Sequence, residues 1–134
     1  RFSGRLERRG MAGIARVQCD VLRVEALPAS WTRYDAIVSA SMMEYLPRES
    51  LSTALRGLRQ RLAPGGTLTL FITRRNVYMQ PLIGWWWDAN LYTAAELRVA
   101  FRDAGFAEIA LRQFPLLYRY LDVWGHIVEA RASA

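Results

Sequence analysis

The chain has 134 residues, enough for one domain with a single core, and its 52% hydrophobic and 22% charged residues are typical of a soluble globular protein. All 18 basic residues are arginine, and the net charge is +6. Because the chain has no long basic run, we attribute its all-arginine composition to coding bias and expect no nucleic-acid partner. The single cysteine and single histidine give no metal-ligand cluster, so we expect no metal site. The single cysteine excludes an internal disulfide, so we expect a reducing, cytoplasmic setting. No apolar run approaches the length of a membrane span, and the N-terminus lacks the apolar core of a signal peptide.

The N-terminal third is predicted to contain a helix and two strands. Residues 1–10 have helix-compatible apolar spacing, and IARVQCD (14–20) is predicted as a short strand that ends in an acid. A loop is expected over 24–30, because Pro28 opposes a helix there. The segment YDAIVSA (34–40) is predicted as a buried strand. Cys19 has apolar neighbours in its strand, so we expect a buried, unreactive thiol.

A helix and a strand are predicted next. Pro47 suits the first helical turn, where its missing N–H is not needed. Four leucines then recur at spacings that place them on one apolar helical face. They are Leu51, Leu55, Leu58 and Leu62. Pro64-Gly65-Gly66 is expected to end this helix, and TLTLFIT (67–73) is predicted as the following strand.

The C-terminal half begins with an irregular insert, residues 74–92. Thr93 and Glu96 form a capping box that opens a helix, and Gly105 is expected to end it. Strands are predicted at 106–114 and about 122–131. Parallel strands need a connection of about a dozen residues or more, so the short segment FPLLYRYL between them predicts an antiparallel last strand. The alternation of strands and helices indicates a layered α/β sheet.

Four segments together resemble the second half of a class I S-adenosylmethionine-dependent methyltransferase. They are VQCD (17–20), YDAIVSASMMEYLP (34–47), LRQRLAPGGTLTLFI (58–72) and YTAAELRVAFRDAGF (92–106). The resemblance implies a Rossmann-like sheet, mostly parallel with an antiparallel last strand, in one partial domain covering residues 1–134. The family's first βα units, with their glycine-rich cofactor loop, have no counterpart here, because no Gly-x-Gly follows any predicted strand.

The resemblance also implies cofactor contacts. Asp20 matches the acid that accepts a hydrogen bond from the adenine amino group, and Val21 would flank the adenine ring. Ser39, Ala40 and Ser41 match small residues that let the backbone approach S-adenosylmethionine. Each has an alternative: Asp20 could cap nearby backbone N–H groups, Val21 could be core, and the small residues could simply permit a turn.

The resemblance also implies contacts with the methyl acceptor, from residues after the second predicted strand and from the insert. Glu44 and Tyr45 match positions that face the sulfonium or the substrate, but a solvated Glu and a packed Tyr are the alternatives. An aromatic group in the insert resembles the family's substrate lid, with core packing or an oligomer contact as alternatives. This group comprises Tyr78, Trp85, Trp86 and Trp87. No carboxylate lies at a sequence spacing from His126 that would indicate a catalytic pair, so we expect a structural role for His126.

The sequence therefore predicts methyl transfer from S-adenosylmethionine to a small-molecule acceptor in the complete protein, with this chain inactive alone. Its catalytic residues cannot be named from the sequence. The alternative is a non-catalytic, methyltransferase-like binding or assembly module, and the antiparallel last strand disfavours a nicotinamide-dependent enzyme. Residues 14–19 are expected to pair beside 35–39 or with a neighbouring copy, which favours a homodimer. No membrane partner is expected.

Overall fold

The computed structural model describes residues 14–77, 81 and 89–133. Within these ranges four strands form one sheet, covered by two α-helices. The strands are β1 (Tyr34–Ala40), β2 (Leu62–Thr73), β3 (Glu108–Arg112) and β4 (Gly125–Arg131), and the helices are α1 (Leu51–Arg59) and α2 (Ala94–Asp103). Short 3-10 segments span Val21–Ala26, Met43–Tyr45, Arg48–Ser50 and Leu116–Val123.

The sheet has the strand order β1-β2-β4-β3, with β1 parallel to β2 and β4 antiparallel to both of its neighbours. The antiparallel last strand is thereby confirmed. The connection from β3 to β4 is a 3-10 segment too short to cross the sheet, so the chain reverses direction at the same edge. Three of the four strands therefore point in one direction and β4 in the other, which is the mostly parallel sheet with an antiparallel last strand that the sequence predicts.

The helix α1 ends at Arg59, before Pro64-Gly65-Gly66, and β2 already begins at Leu62. The glycines instead form an irregularity in β2: Tyr34 pairs with Leu62, whereas Ala36 pairs with Thr67. Gly65 has a φ of 73°, and a Cβ at Gly66 would lie 2.7 Å from the Tyr34 carbonyl oxygen. Both positions therefore require glycine, one for its backbone conformation and one for close packing against β1.

The core lies between one face of the sheet and the two helices. Its buried side chains include Leu51 and Leu55 from α1, Leu97 and Phe101 from α2, and Leu68, Leu70, Ile72 and Val128 from the sheet. The capping box at the start of α2 is confirmed, and Gly105, with a φ of 91°, follows its C-terminal turn. Neither helix is long and apolar enough to cross a membrane, nor is any other helix among the described residues.

Several expectations near the N-terminus are wrong. Residues 14–20 form no strand and are exposed, so they do not pair beside β1. Cys19 is consequently exposed as well. The strand β1 is mostly exposed rather than buried, with Val38 65% exposed, because among the described strands only β2 pairs with it. The predicted loop at 24–30 is also shortened, since residues up to Ala26 belong to a 3-10 segment. The homodimer stays a prediction.

Candidate functional site

A pocket lies where the carboxyl ends of β1 and β2 meet the start of β4. Because β1 and β2 are parallel, Ser41 after β1 and Thr73 at the end of β2 lie at the same edge of the sheet. Ser41 has a φ of 47°, and its N–H donates to the Phe71 carbonyl at 3.0 Å, which turns the chain away from β1. The carboxyl edge of an open α/β sheet is where ligands bind in such folds.

The pocket has a volume of about 270 Å³ and combines a few polar groups with apolar walls. The polar lining residues are Ser41, Glu44, Tyr45 and Thr73, and the others are Ile72, Phe114, Leu121, Trp124 and Gly125. Glu44 and Tyr45 were predicted site residues, and the structure brings them together here. Phe114, Leu121 and Trp124 were missed. They belong to the β3–β4 connection, which an antiparallel last strand places at this edge.

Glu44 is the buried acid of the pocket, with only 3% of its surface exposed. The 3-10 turn Met43–Tyr45 inserts Met43 into the core, and Glu44 is held beneath the pocket. Its Oε1 accepts a hydrogen bond from Thr73 Oγ1 at 3.0 Å, whereas Oε2 is buried and has no partner among the described residues. The alternative of a solvated Glu44 is therefore wrong. A buried oxygen without a partner is costly, and no described residue offsets that cost at Oε2.

Asn90 fixes the backbone of the turn that carries Glu44. Its N–H donates to the Glu44 carbonyl at 2.7 Å, and its side-chain Nδ2 donates to the Leu46 carbonyl at 2.7 Å. Thr73 thus holds the side chain of Glu44, and Asn90, from a different segment, holds its backbone. The sequence analysis missed both residues. A polar residue at the carboxyl end of an apolar strand was the available signal for Thr73; Asn90 gave none.

The predicted adenine-side residues lie apart from this pocket. Asp20 is exposed, and its Oδ1 accepts from the Leu22 N–H at 2.9 Å, so it caps the segment Val21–Ala26. Because a carboxylate has two oxygens, this bond leaves the other available for a ligand. Val21 and Leu22 are half-buried and line a separate hollow of about 170 Å³ against α1.

The small residues at the carboxyl end of β1 divide between core and surface. Ser39 is buried, and its hydroxyl has no hydrogen-bond partner within the described part of the chain. Ala40 and Ser41 are exposed, and only Ser41 lines the pocket.

The predicted aromatic residues Tyr78, Trp85, Trp86 and Trp87 lie outside the described residues. The two ends of the insert are nevertheless defined. The Tyr92 N–H donates to the Thr73 carbonyl at 3.4 Å, and the Arg75 N–H donates to the Tyr92 carbonyl at 2.9 Å. The insert therefore departs from and returns to the edge of the sheet beside Thr73.

A second hollow, of about 360 Å³, lies between α1 and α2, and two of its charged side chains, Arg48 and Glu96, are paired with each other. Glu96 accepts from Thr93 and forms ion pairs with Arg48 at 3.2 Å and Arg75 at 3.1 Å. Burial acts to raise the pKa of Glu96, but the Thr93 hydrogen bonds and the two arginines lower it overall. Burial raises the pKa of Tyr92, although Arg48 lies 4.6 Å from the centre of its ring. This hollow is larger than the first, and the Tyr92 hydroxyl beside it is buried without a partner among the described residues.

His126 does not line the pocket. It is buried on β4 opposite Ile72, and its Nε2 has no hydrogen-bond partner among the described residues. Burial and the nearby Arg74 lower the pKa of His126, although the Tyr92 backbone acts to raise it. Among the residues described, no three His, Cys, Asp or Glu side chains cluster as metal ligands would.

The sequence matches the profile of a family described as a methyltransferase domain over residues 6–111. No curated protein matches it. Among solved structures, the S-adenosylmethionine-dependent methyltransferase SibL, in its apo form, has a TM-score of 0.76 and 14% identity over 98% of this chain and 40% of its own.

Two similar structures contain S-adenosylhomocysteine. The N-methyltransferase NodS from Bradyrhizobium japonicum WM9 has a TM-score of 0.66 and 19% identity over 99% of this chain and 62% of its own. The Burkholderia thailandensis 1,6-didemethyltoxoflavin-N1-methyltransferase also has 1,6-didemethyltoxoflavin bound. Its TM-score is 0.71, with 17% identity over 99% of this chain and 56% of its own. The identities are low, so these structures establish the fold, and the chain spans about 40 to 62% of their lengths.

Proposed function

Because the chain belongs to the methyltransferase domain family, we propose that it forms part of an enzyme that transfers a methyl group from S-adenosylmethionine to a small-molecule acceptor. The observation that carries this proposal is the pocket at the carboxyl ends of β1 and β2, which holds a buried carboxyl group with one unpaired oxygen. The complexes of NodS and of the toxoflavin methyltransferase support the choice of cofactor by analogy of fold.

In this proposal the described residues contact the adenine side of the cofactor. Asp20 offers a free carboxylate oxygen to the adenine amino group, and Val21 lies beside it to flank the ring. Ser39, Ala40 and Ser41 are the small residues that would let the backbone approach the cofactor; the Ser39 hydroxyl itself is buried and has no partner among the described residues. In this proposal the groups that bind the ribose and the methionine carboxylate come from a glycine-rich loop outside these 134 residues.

When bound, the cofactor supplies an electrophilic methyl group carried on a positively charged sulfur. The chain's own contribution is to hold the acceptor in line with that methyl group. Glu44 and Tyr45 orient the acceptor from the pocket floor and rim, and Tyr78, Trp85, Trp86 and Trp87 would add aromatic surface from the insert. Positioning of this kind contributes up to about 7–11 kcal/mol to catalysis, so an extended set of acid–base residues is not needed.

The test is the affinity of the complete protein for S-adenosylhomocysteine, measured by calorimetry, with the substitution Asp20→Asn. Asn is as good a helix cap as Asp, so this change preserves the bond to Leu22 while it removes the carboxylate. Loss of a hydrogen bond to a charged group, about 1.5–3 kcal/mol, predicts about 10- to 150-fold weaker binding. Asp35→Asn, at the opposite end of β1, is the matched control and should leave the affinity unchanged.

Wild-type affinity in the Asp20→Asn variant would assign Asp20 to capping alone. The 134-residue chain by itself should bind S-adenosylhomocysteine only in the millimolar range or weaker, because it lacks several charge-assisted contacts of about 1.5–3 kcal/mol each. If the complete protein does not bind S-adenosylhomocysteine, the enzyme proposal is wrong, and a non-catalytic binding or assembly module becomes the better description.

A further inference from the structure

The hollow between α1 and α2 shares no lining residue with the pocket at the carboxyl ends of β1 and β2. Its volume of about 360 Å³ lies in the range of small-molecule sites. The proposed methyl transfer makes no use of it. The hollow is therefore a candidate for a second, independent ligand site.

One face of α2 supplies much of the wall of this hollow. Ala95, Val99 and Asp103 follow one another at spacings of four residues, so they lie along one side of the helix. Val99 is 55% exposed, and the small residues Ala95 and Ala100 leave room beside it. A ligand can therefore cover the exposed apolar surface of Val99 without displacing a side chain of the core.

The charged groups along this face of α2 differ in their pairing. Glu96, in the first turn, is paired with Arg48 and Arg75, so that end offers no free negative charge. Asp103, the last residue of α2, is exposed, and its carboxylate has no partner among the described residues. Arg56 donates to the backbone carbonyl of Asp103 at 3.0 Å and not to the carboxylate. The two acids lie about 10 Å apart along the helix axis, and Asp103 is the accessible one.

We propose that the hollow between α1 and α2 binds a small organic cation, an amine with a ring-sized apolar body, whose ammonium group pairs with the Asp103 carboxylate. The apolar body lies along Val99, and an anion is disfavoured because it would meet the negative charge of Asp103. The Tyr92 hydroxyl is buried and takes no part. This site goes beyond the proposed function, since it involves neither the cofactor nor the methyl acceptor.

The test uses the complete protein without added cofactor and three probes on one ring system: 2-naphthylmethylamine, a cation; 2-naphthylmethanol, which is neutral; and 2-naphthoate, an anion. Binding is followed by NMR of ¹³C-labelled valine methyl groups. Val99 reports on the hollow, and Val123, in the connection from β3 to β4, reports on the other pocket. We expect the amine to shift the Val99 signals and to bind about two- to fivefold more tightly than the alcohol, the factor that one exposed ion pair provides. The anion should bind more weakly than the alcohol.

Three substitutions at exposed positions connect this preference to the structure. Asp103→Asn keeps the size of the side chain and removes its charge, so the amine should lose its advantage over the alcohol. Asp35→Asn, which removes a carboxylate from β1, is the matched control and should retain the full preference. Val99→Ala reduces the apolar wall and should weaken the binding of all three probes by about two- to fivefold without changing their order.

The inference is overturned if the Val99 signals do not shift, if the alcohol binds as tightly as the amine, or if Asp103→Asn retains the full preference. Shifts at Val123 alone would assign the probes to the other pocket and would also contradict it. Failure of the proposed function has a different result, namely that the complete protein does not bind S-adenosylhomocysteine, which these probes do not measure.

Discussion

The contact between Gly57 of α1 and Val24 allows a quantitative test of the packing that holds the N-terminal segment. A Cβ at Gly57 would lie 2.6 Å from Val24 Cγ2, well inside van der Waals contact. Val24 is buried in the segment Val21–Ala26, which follows directly after Asp20. We therefore expect Gly57→Ala to destabilise the chain, although alanine is normally the better residue inside a helix.

Two opposing effects set the size of this change. Alanine in place of glycine within a helix favours folding by about 1 kcal/mol. Overpacking a core contact costs about 1–3 kcal/mol, and Val24 cannot easily rotate away because its β-branched side chain is stiff and buried. The expected net loss in the free energy of unfolding is thus about 0 to 2 kcal/mol for Gly57→Ala.

The assay is urea denaturation followed by far-ultraviolet circular dichroism, applied to a double-mutant cycle with Val24→Ala. Removing Cγ2 abolishes the clash, so in the Val24→Ala background Gly57→Ala should stabilise the chain by about 1 kcal/mol. The coupling energy between the two positions should then be about 1–3 kcal/mol. If Gly57→Ala stabilises both backgrounds equally, the contact is not as close as the structure indicates and the reasoning is refuted.

Two further predictions concern His126 and the capping box. The pKa of His126 is lowered in the folded chain. Its contribution to stability is therefore complete above the unfolded pKa of about 6.5 and is lost as the pH falls through the folded pKa. His126→Asn should flatten the dependence of the urea midpoint on pH between about 7.5 and 5.5, and an unchanged slope would contradict this. Thr93→Ala should lower the free energy of unfolding by about 1 kcal/mol, because the Thr93 hydroxyl accepts from the Glu96 N–H. Thr93→Ser should preserve the cap, and equal losses in both variants would argue against it.

Features determined by neighbouring residues were the most predictable from the sequence. The capping box of Thr93 and Glu96 and the glycine after α2 depend on hydrogen bonds and backbone angles within a few residues, and both are confirmed. The antiparallel β4 was predictable because chain length alone limits what its short connection to β3 can span. The bounds of β2 were less predictable, since Pro64-Gly65-Gly66 is equally suited to ending a helix and to an irregular strand.

Burial was the least predictable property, because it depends on distant partners. The sequence of β1 has the apolar character of a buried strand, yet Val38 is exposed, since among the described strands only β2 pairs with β1. The same reason applies to Cys19: apolar neighbours in sequence do not bury a side chain unless another element covers it. An apolar pattern indicates that a segment is suited to burial, and the tertiary structure decides whether burial occurs.

Glu44 illustrates the same dependence in the opposite direction. Its position after a strand left two alternatives open, a solvated side chain or a group that faces a ligand. The structure excludes a solvated side chain, because Thr73 at the end of β2 binds the carboxyl group and Asn90 at the end of the insert holds the backbone. Both residues are far from Glu44 in sequence. Neither residue stabilises Oε2, and a fold that served only stability would gain by pairing or replacing a buried carboxyl oxygen of this kind. Because Glu44 also lines the pocket, this cost to stability falls at the candidate site and not elsewhere in the core.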